Sequence, residues 1–207
     1  MYAQSYYNMS NDSRMLAAET FKRLFDSQRK TLEDIAVHDA HFLVGPQQVQ
    51  MSGSRCQLAS RSAYFRSMFF GSAKMQESQA GAVVKLENMD PDAFRNILQY
   101  CYTESADLNE NNVIATLDAA KYCHLDFLAE ACRSWLKDNL TEDTCCMIRQ
   151  QAEQYNEQEL AHSADILIRK HSASLLQQDS FSVLSEDYVK SLIARDDLDV
   201  DKEVLYY

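Results

Sequence analysis

The sequence predicts an α+β fold in which a small sheet flanked by helices is followed by an all-α helical array. Two observations support this prediction. All four glycines and both prolines lie between positions 45 and 91, and these residues mark turns and strand ends. Residues 92–207 contain neither glycine nor proline, so we expect helices joined by short polar links in that half.

The first expected element is an amphipathic helix. In the segment SRMLAAETFKRLFDSQ, residues 13–28, apolar residues recur three or four positions apart, which is the spacing of one helix face. This apolar stripe consists of Ala17, Phe21, Leu24 and Phe25. The polar sequence RKTLED follows, and we expect it to be a link.

Three short strands and a helical segment come next. The strand patterns are DAHFLV, QQVQM and AVVKL, at residues 39–44, 47–51 and 82–86. Between the second and third strands lies LASRSAYFRSMFFGSAKMQES. Its Phe65, Met68 and Phe69 have the i, i+3, i+4 spacing of an inward helix face, so we expect them in the core.

The second half reads as a series of helices. The segment MDPDAFRNILQYCYT begins with Asp90 as a cap and Pro91 in the first turn. NNVIATLDAAKYC and LDFLAEACRSWLKDNL follow, and the polar break DNLTED predicts a domain boundary near 139–143. Further on, Ser185 is a good cap. The final VDKEVLYY has a helix pattern with no stop signal, so we expect the polypeptide to continue past Tyr207.

Charge and hydropathy exclude several partners. Residues 1–91 carry 10 basic and 9 acidic side chains, a net +1, whereas residues 92–207 carry 10 basic and 22 acidic ones, a net −12. An acidic half repels phosphate backbones, so we expect no nucleic-acid partner. No run approaches the roughly 18–20 apolar residues of a membrane span, and no signal peptide opens the sequence. We therefore expect neither membrane insertion nor export.

Motifs for catalysis or cofactor binding are missing from the sequence. It contains no glycine-rich phosphate loop and no nucleophile elbow. His38 and His41 flank Asp39 in the manner of a metal cluster, but positions 38 and 41 of a strand point to opposite faces. We therefore expect no cofactor, no metal and no enzyme activity.

The six cysteines form no CxxC pair, and we expect them to be reduced and buried as small hydrophobes. The alternative is a redox role, chiefly for the adjacent Cys145 and Cys146. Cys145 shares an apolar stripe with Ile148 and Ala152, so we expect it to be buried and slow to react. Cys146, one position round the helix, is expected to be more exposed.

The ordered pieces resemble the BTB/POZ domain over residues 39–138. DAHFLVG resembles its opening strand, and RCQLASRSAYFRSMF is similar to its helical hairpin. MDPDAFRNILQYCYT resembles the helix that ends in Tyr-Thr, and NNVIATLDAAKYCHLDFLAEACRSWL its last two helices. Residues 139–207, through LSEDYVKSLIARDDLDV, resemble the start of the BACK domain. Residues 1–38 would then be an N-terminal segment with a dimerisation helix.

Two positions depart from the family pattern. Ser54 stands where the family usually has His before a basic residue, and Ala63 replaces the usual Pro at the first turn of the second hairpin helix. Neither change threatens the fold, because Ala is a good helix former. The resemblance also implies a buried pair between Asp39 of the opening strand and Arg55. We expect the loss of the usual His at position 54 to alter the pocket around that pair.

The resemblance implies a homodimer that docks a cullin-3-type scaffold. The loop after the hairpin usually carries a hydrophobic-x-Glu signature, which KMQES supplies. The implied cullin-binding residues are Tyr64, Met75, Glu77, Tyr122 and His124. The implied dimerisation residues are Ala17, Phe21, Leu24, Phe25, Asp39 and Arg55.

Three functions are compatible with this sequence. The first is the substrate-recognition adaptor of a cullin–RING E3 ubiquitin ligase, in which BACK spaces a substrate-binding region beyond residue 207. That region is a kelch or a jellyroll-type domain in the family, and HFLVGP and VIATLDAAKY are similar to jellyroll-type members. The second is an oligomeric scaffold or transcriptional co-repressor that does not bind cullin. The third is an unrecognised enzyme. The protein substrate is unknown, and the compartment is expected to be the cytoplasm, with the nucleus also open.

Overall fold

The computed structural model describes residues 11–71, 81–175 and 184–193. The chain divides into two compact units. The first unit takes the residues up to 107 together with the turn at 122–125, and the second takes residues 108–121 and those from 126 onward.

A three-stranded sheet forms the centre of the first unit. The strands are β1 (Ala40–Val44), β2 (Val49–Gly53) and β3 (Val83–Leu86), and their order is β2-β1-β3. β1 pairs antiparallel with β2 and parallel with β3, so that Phe42 lies between Met51 and Val84. The three predicted strands are therefore confirmed. Along β1, buried Phe42 alternates with exposed His41, as expected for a sheet with one face in the core.

The N-terminal helix α1 runs over Asn11–Glu33 and is longer than expected. The prediction that RKTLED is a link was wrong, since residues 29–33 form the last turn and a half of α1. The reason is local: Arg, Lys and Glu are good helix formers, and Arg29 pairs with Glu33 at 3.3 Å, one turn away. Asp34 then caps a short 3₁₀ turn, Ile35–Val37, by accepting a hydrogen bond from the Ala36 amide at 3.1 Å.

His38 ties the end of α1 to the sheet. Its Nε2 lies 3.1 Å from the Thr31 carbonyl oxygen and its Nδ1 lies 2.8 Å from the Ser52 hydroxyl. A carbonyl can only accept, so Nε2 donates to Thr31, while Nδ1 and the Ser52 hydroxyl form the second hydrogen bond. The ring of His38 is thus a bridge between α1 and β2.

The predicted helical hairpin is confirmed as α2 (Arg55–Arg61) and α3 (Ala63–Phe70). α3 ends at Gly71, whose amide donates to the Ser67 carbonyl at 3.0 Å. A Cβ at position 71 would overlap that carbonyl oxygen, so the close approach requires glycine. The next helix, α4 (Pro91–Thr103), starts as predicted, because Asp90 accepts a hydrogen bond from the Ala93 amide at 2.9 Å.

Aromatic rings join the sheet to two helices. The Phe42 ring of β1 lies 4.9 Å from that of Phe94 on α4 and 6.0 Å from that of Phe65 on α3, edge to face in both cases. Phe65 also stacks with Phe69 at 5.9 Å. Phe65 and Phe69 are buried, and so is Met68, which confirms the predicted inward face of α3.

The expected buried pair between Asp39 and Arg55 takes a different form. Asp39 is exposed, and its Oδ1 accepts from the Arg55 backbone amide at 2.7 Å. The guanidinium of Arg55 donates to the Phe69 carbonyl at 2.9 Å and lies over the rings of Phe69 and Phe70. In the single chain Asp39 is thus exposed and bonds the start of α2, and burial of the pair in a dimer stays a prediction. At Ser54, the backbone amide donates to the Tyr102 hydroxyl at 2.7 Å.

In the described residues of the second unit, all regular secondary structure is helical. Its helices are α5 (Val113–Tyr122, whose last residue belongs to the first unit), α6 (Asp126–Asp138), α7 (Cys145–Gln154), α8 (Gln158–Lys170), α9 (Ser172–Leu175) and α10 (Glu186–Ile193). In the part of the chain that the structure describes, no helix combines the length and apolar content needed to cross a bilayer.

The cysteines are all free thiols, and five of them are buried. Cys56 is exposed, so the prediction of burial was wrong for this residue. Cys146 is buried as completely as Cys145, which corrects the expectation of a more exposed second thiol. The reason is that α7 begins inside a core cluster, where Ile168, Leu175 and Leu184 cover both thiols. A hydrogen bond with Cys145, together with burial, raises the pKa of Cys146.

A polar cluster attaches α10 to α7 and α8. The Tyr188 hydroxyl donates to Asp165 Oδ1 at 2.6 Å, and Arg149 Nε donates to the same oxygen at 2.7 Å. The Arg149 guanidinium lies 4.4 Å from the Tyr188 ring centre. Burial and the bond to Asp165 raise the pKa of Tyr188, so the hydroxyl remains a donor. The predicted cap is confirmed, because Ser185 accepts from the Tyr188 amide at 3.3 Å.

We predict that Phe65→Ala lowers the free energy of unfolding by about 3–5 kcal/mol, as a core truncation that leaves a cavity among the four aromatic rings in contact with Phe65. Phe70→Ala is the matched control on the same helix, since Phe70 is 60% exposed and should cost less than about 1 kcal/mol. Urea denaturation of both variants checks this. Equal losses in the two variants would contradict the packing described.

Candidate protein-docking site

Helix α3 has one buried face and one face toward solvent. Phe65 points into the aromatic core, and its neighbour Tyr64 is half-buried. The two rings meet edge to face at 5.2 Å. Because Phe65 is fixed in the core, the ring of Tyr64 is held at the surface beside it.

Tyr64 forms a pair with Tyr122, which ends α5. Their ring centres lie 4.9 Å apart, and the Tyr64 hydroxyl donates to that of Tyr122 at 3.3 Å. Tyr122 is 53% exposed. Tyrosine side chains offer apolar rings and a polar tip at low entropic cost, which suits a surface that binds another protein. We name Tyr64, Tyr122 and His124 the docking face.

The turn at 122–125 alternates between exposed and buried residues. Cys123 and Leu125 are buried, at 0% and 4% exposure, whereas Tyr122 and His124 are exposed. Burial and the neighbouring Cys101 raise the pKa of Cys123, so its thiol is a neutral anchor. His124 has φ of 53°, in the left-handed region that residues other than glycine adopt uncommonly.

A buried hydroxyl joins the two parts of the docking face. Ser62, which is 1% exposed, donates to the Cys123 carbonyl at 2.7 Å and accepts from the Phe65 amide at 3.2 Å. The sequence reasoning missed this residue. The signal that could have found it is a serine followed three positions later by an inward aromatic, which is typical of a helix cap.

The predicted dimerisation stripe on α1 is mostly exposed in the single chain. Phe21 is 67% exposed, Leu24 57% and Phe25 38%, while Ala17 is half-buried. Met15 and Leu16 extend the exposed apolar surface at 67% and 66%, and the sequence reasoning missed them. Exposed apolar side chains so close together are the kind of patch that the dimerisation prediction requires.

A groove of about 530 Å³ continues from this stripe within the first unit. It lies between the C-terminal half of α1, β2 and α4. Its apolar lining includes Phe25, Leu32 and Leu98, and its rim includes Arg29 and Arg95. Sequence periodicity gave no indication of this groove, because its walls come from elements far apart along the chain.

The remaining predicted site residues stand as follows. Met75 and Glu77 lie outside the described residues. Asp39 and Arg55 adjoin through the backbone bond described above. Among the described residues, no group of three or more His, Cys, Asp or Glu side chains could hold a metal ion.

The second unit has a smaller groove that the sequence reasoning missed. It measures about 220 Å³ and is lined by Leu136, Leu140 and Leu160, with Arg133 and Glu159 beside them. Leu136 and Leu160 lie on α6 and α8, whereas Leu140 lies in the link after α6. Periodicity alone does not distinguish a leucine that is covered from one that lines a groove.

Comparison with known proteins decides the family. The sequence pattern of the BTB/POZ domain matches residues 29–140, which is more than half of the chain. The chain belongs to the BTB/POZ family. A second pattern, described as BTB And C-terminal Kelch, matches residues 145–207. BTB proteins with this BACK segment are generally non-catalytic adaptors. The exact boundary between the two domains remains the prediction made from DNLTED.

Several BTB proteins are similar to this chain over most of its length. Kelch repeat and BTB domain-containing protein 8 of Xenopus tropicalis is 31% identical, covering 91% of this chain and 29% of that protein. BTB/POZ domain-containing protein 6-A of Danio rerio is 28% identical, and the match covers 81% of this chain and 31% of that protein. BTB/POZ domain-containing protein 3 of Mus musculus is 25% identical, covering 97% and 38%. The chain thus spans about a third of the length of these relatives.

Proposed function

We propose that this BTB–BACK protein is the substrate-recognition adaptor of a cullin-3-type cullin–RING E3 ubiquitin ligase. The observation that supports this most strongly is the pair of half-buried Tyr64 and exposed Tyr122, an aromatic surface on the BTB domain. Cullin-3 adaptors are typical of the BTB–BACK family. The protein itself has no catalytic role in this proposal, and its substrate is another protein.

The docking face suits a helical partner such as the N-terminal domain of a cullin. The paired rings supply rigid apolar area, and the Tyr122 hydroxyl has a hydrogen that it can donate to the partner. Met75 would fill an irregular apolar pocket on the cullin. The Glu77 carboxylate would accept charge-assisted hydrogen bonds, which set register and specificity.

A homodimer places two such faces in one assembly. The exposed stripe of α1 is apolar enough to need a cover, and burying four such side chains contributes roughly 4–8 kcal/mol gross. A second copy can supply that cover, with the stripe of one protomer packed against the stripe and groove of the other. The dimer would hold two substrates, or two sites of one substrate, near the ligase.

The BACK domain would separate the cullin from a substrate-binding region outside these 207 residues. Kelch repeats and a jellyroll-type domain are the candidates for that region. Such a complex operates in the cytoplasm or the nucleus, and its product is a ubiquitinated substrate directed to proteasomal degradation.

We predict that the protein is a dimer at micromolar concentration and that Phe21→Glu with Leu24→Glu gives monomers, because two carboxylates in the stripe cannot be buried without partners. The matched control is Arg23→Ala with Lys30→Ala. Both double variants make the net charge more negative by the same amount, but Arg23 and Lys30 lie on the opposite face of α1. Light scattering measures both masses. A monomeric wild-type protein would overturn the dimer proposal.

We predict that Tyr122→Ala, and separately Met75→Ala with Glu77→Ala, weaken cullin binding by about 2–4 kcal/mol, the range of a hot spot. The melting temperature should change little, since Tyr122 is exposed. Ile166→Ala is the matched control, because Ile166 is 49% exposed on α8 and takes no part in the docking face. Calorimetry with the N-terminal cullin domain gives the affinities.

Two results would contradict the adaptor proposal. One is the absence of binding between the wild-type protein and the cullin domain. The other is undiminished affinity in both docking variants. Either result would favour the alternative, an oligomeric BTB scaffold or transcriptional co-repressor that does not bind cullin.

A further inference from the structure

We propose that the buried hydroxyl of Ser62 is a positioning group that sets the docking face by fixing Tyr64 relative to Tyr122. The effect on cullin binding rests on the proposed function above. The effect on the geometry of the two tyrosines does not, and it can be measured without any partner.

The Ser62 hydroxyl makes two hydrogen bonds, one as acceptor and one as donor. Its oxygen accepts from the Phe65 amide at 3.2 Å, and its hydrogen goes to the Cys123 carbonyl at 2.7 Å. One hydroxyl has one donor and two acceptor lone pairs, so both bonds are satisfied together. The first bond caps the start of α3, and the second reaches a turn 61 residues later in the chain.

Both ends of this connection adjoin the docking face. Tyr64 is two residues after Ser62, in the first turn of α3, and Tyr122 is one residue before Cys123. Cys123 is fully buried and His124 has a left-handed φ, and the Ser62 hydroxyl links the Cys123 carbonyl to the first turn of α3. A change at the hydroxyl is therefore transmitted to the 4.9 Å separation of the tyrosine rings.

Capping alone does not account for this arrangement. A helix cap needs only the bond to the Phe65 amide. Asp90 caps α4 by the same kind of bond, at 2.9 Å to the Ala93 amide, from an exposed side chain. Ser62 is 1% exposed, and its second bond satisfies a carbonyl in a turn that would otherwise lose its partner inside the protein.

The first experiment compares Ser62→Ala with Asp90→Ala, because each variant removes one helix cap. Nuclear Overhauser effects between the Tyr64 and Tyr122 ring protons report their separation. We expect these effects to weaken or disappear in Ser62→Ala and to persist in Asp90→Ala, while both variants lose thermal stability. Unchanged ring contacts in Ser62→Ala, or equal losses in both variants, would overturn the proposal.

Ser62→Cys serves if the alanine variant does not fold. A thiol keeps the side chain in place but is a weaker donor and acceptor. We expect the Overhauser effects between Tyr64 and Tyr122 to be weaker than in the wild type but still detectable. Wild-type ring contacts and wild-type cullin affinity in a folded Ser62→Cys protein would contradict a positioning role for the hydroxyl.

The second experiment measures affinity for the N-terminal cullin domain. Loss of the hydroxyl should weaken binding by about tenfold, whereas Asp90→Ala should change it by less than about twofold. In a Tyr122→Ala background, Ser62→Ala should have almost no further effect, because its influence passes through Tyr122. An undiminished tenfold effect in that background would overturn the proposal. If the wild type binds no cullin, the adaptor function fails, and the ring contacts alone decide the role of Ser62.

Discussion

The first unit depends on the contact that the Phe42 ring makes with Phe65 and Phe94. Phe42 lies on the central strand, and the two partner rings come from α3 and α4. Edge-to-face packing restricts the rotation of each ring as well as its distance. Phe42 therefore determines how α3 and α4 pack against the sheet. A strand register shifted by one residue would turn Phe42 out of the core and remove both contacts.

The orientation of α3 decides what the surface displays. With Phe65, Met68 and Phe69 directed inward, Tyr64 is left at the boundary of the core, where it meets Tyr122 at 4.9 Å. On the other side of the pair, the Ser62 hydroxyl donates to the Cys123 carbonyl and His124 has a left-handed φ. The docking face is thus a consequence of core packing: its side chains are exposed, but their positions are set by buried neighbours. In the proposed adaptor, a pair already positioned before the cullin binds would lower the entropic cost of binding.

Local patterns predicted the elements well and the long-range contacts poorly. Alternation located the three strands, and the helix signals at Asp90 and Ser185 were confirmed, because those features depend on neighbours in sequence. The end of α1 was missed because RKTLED is polar, although its residues favour helix. The burial of Cys146 depends on Ile168, Leu175 and Leu184 closing over α7 from elsewhere in the chain. The Ser62–Cys123 bond and the groove beside α1 likewise join distant segments, and a periodicity carries no information about them.

The central claim is that the Tyr64–Tyr122 surface binds a cullin, and photo-crosslinking tests it most directly. The photoreactive residue p-benzoylphenylalanine is placed at position 122 in one protein and at position 166 in another, since the native side chains are 53% and 49% exposed. Each protein is irradiated with the N-terminal cullin domain. The account predicts a crosslinked product from position 122 and none from position 166. A product from position 166 alone, or from neither position at saturating cullin, would contradict it.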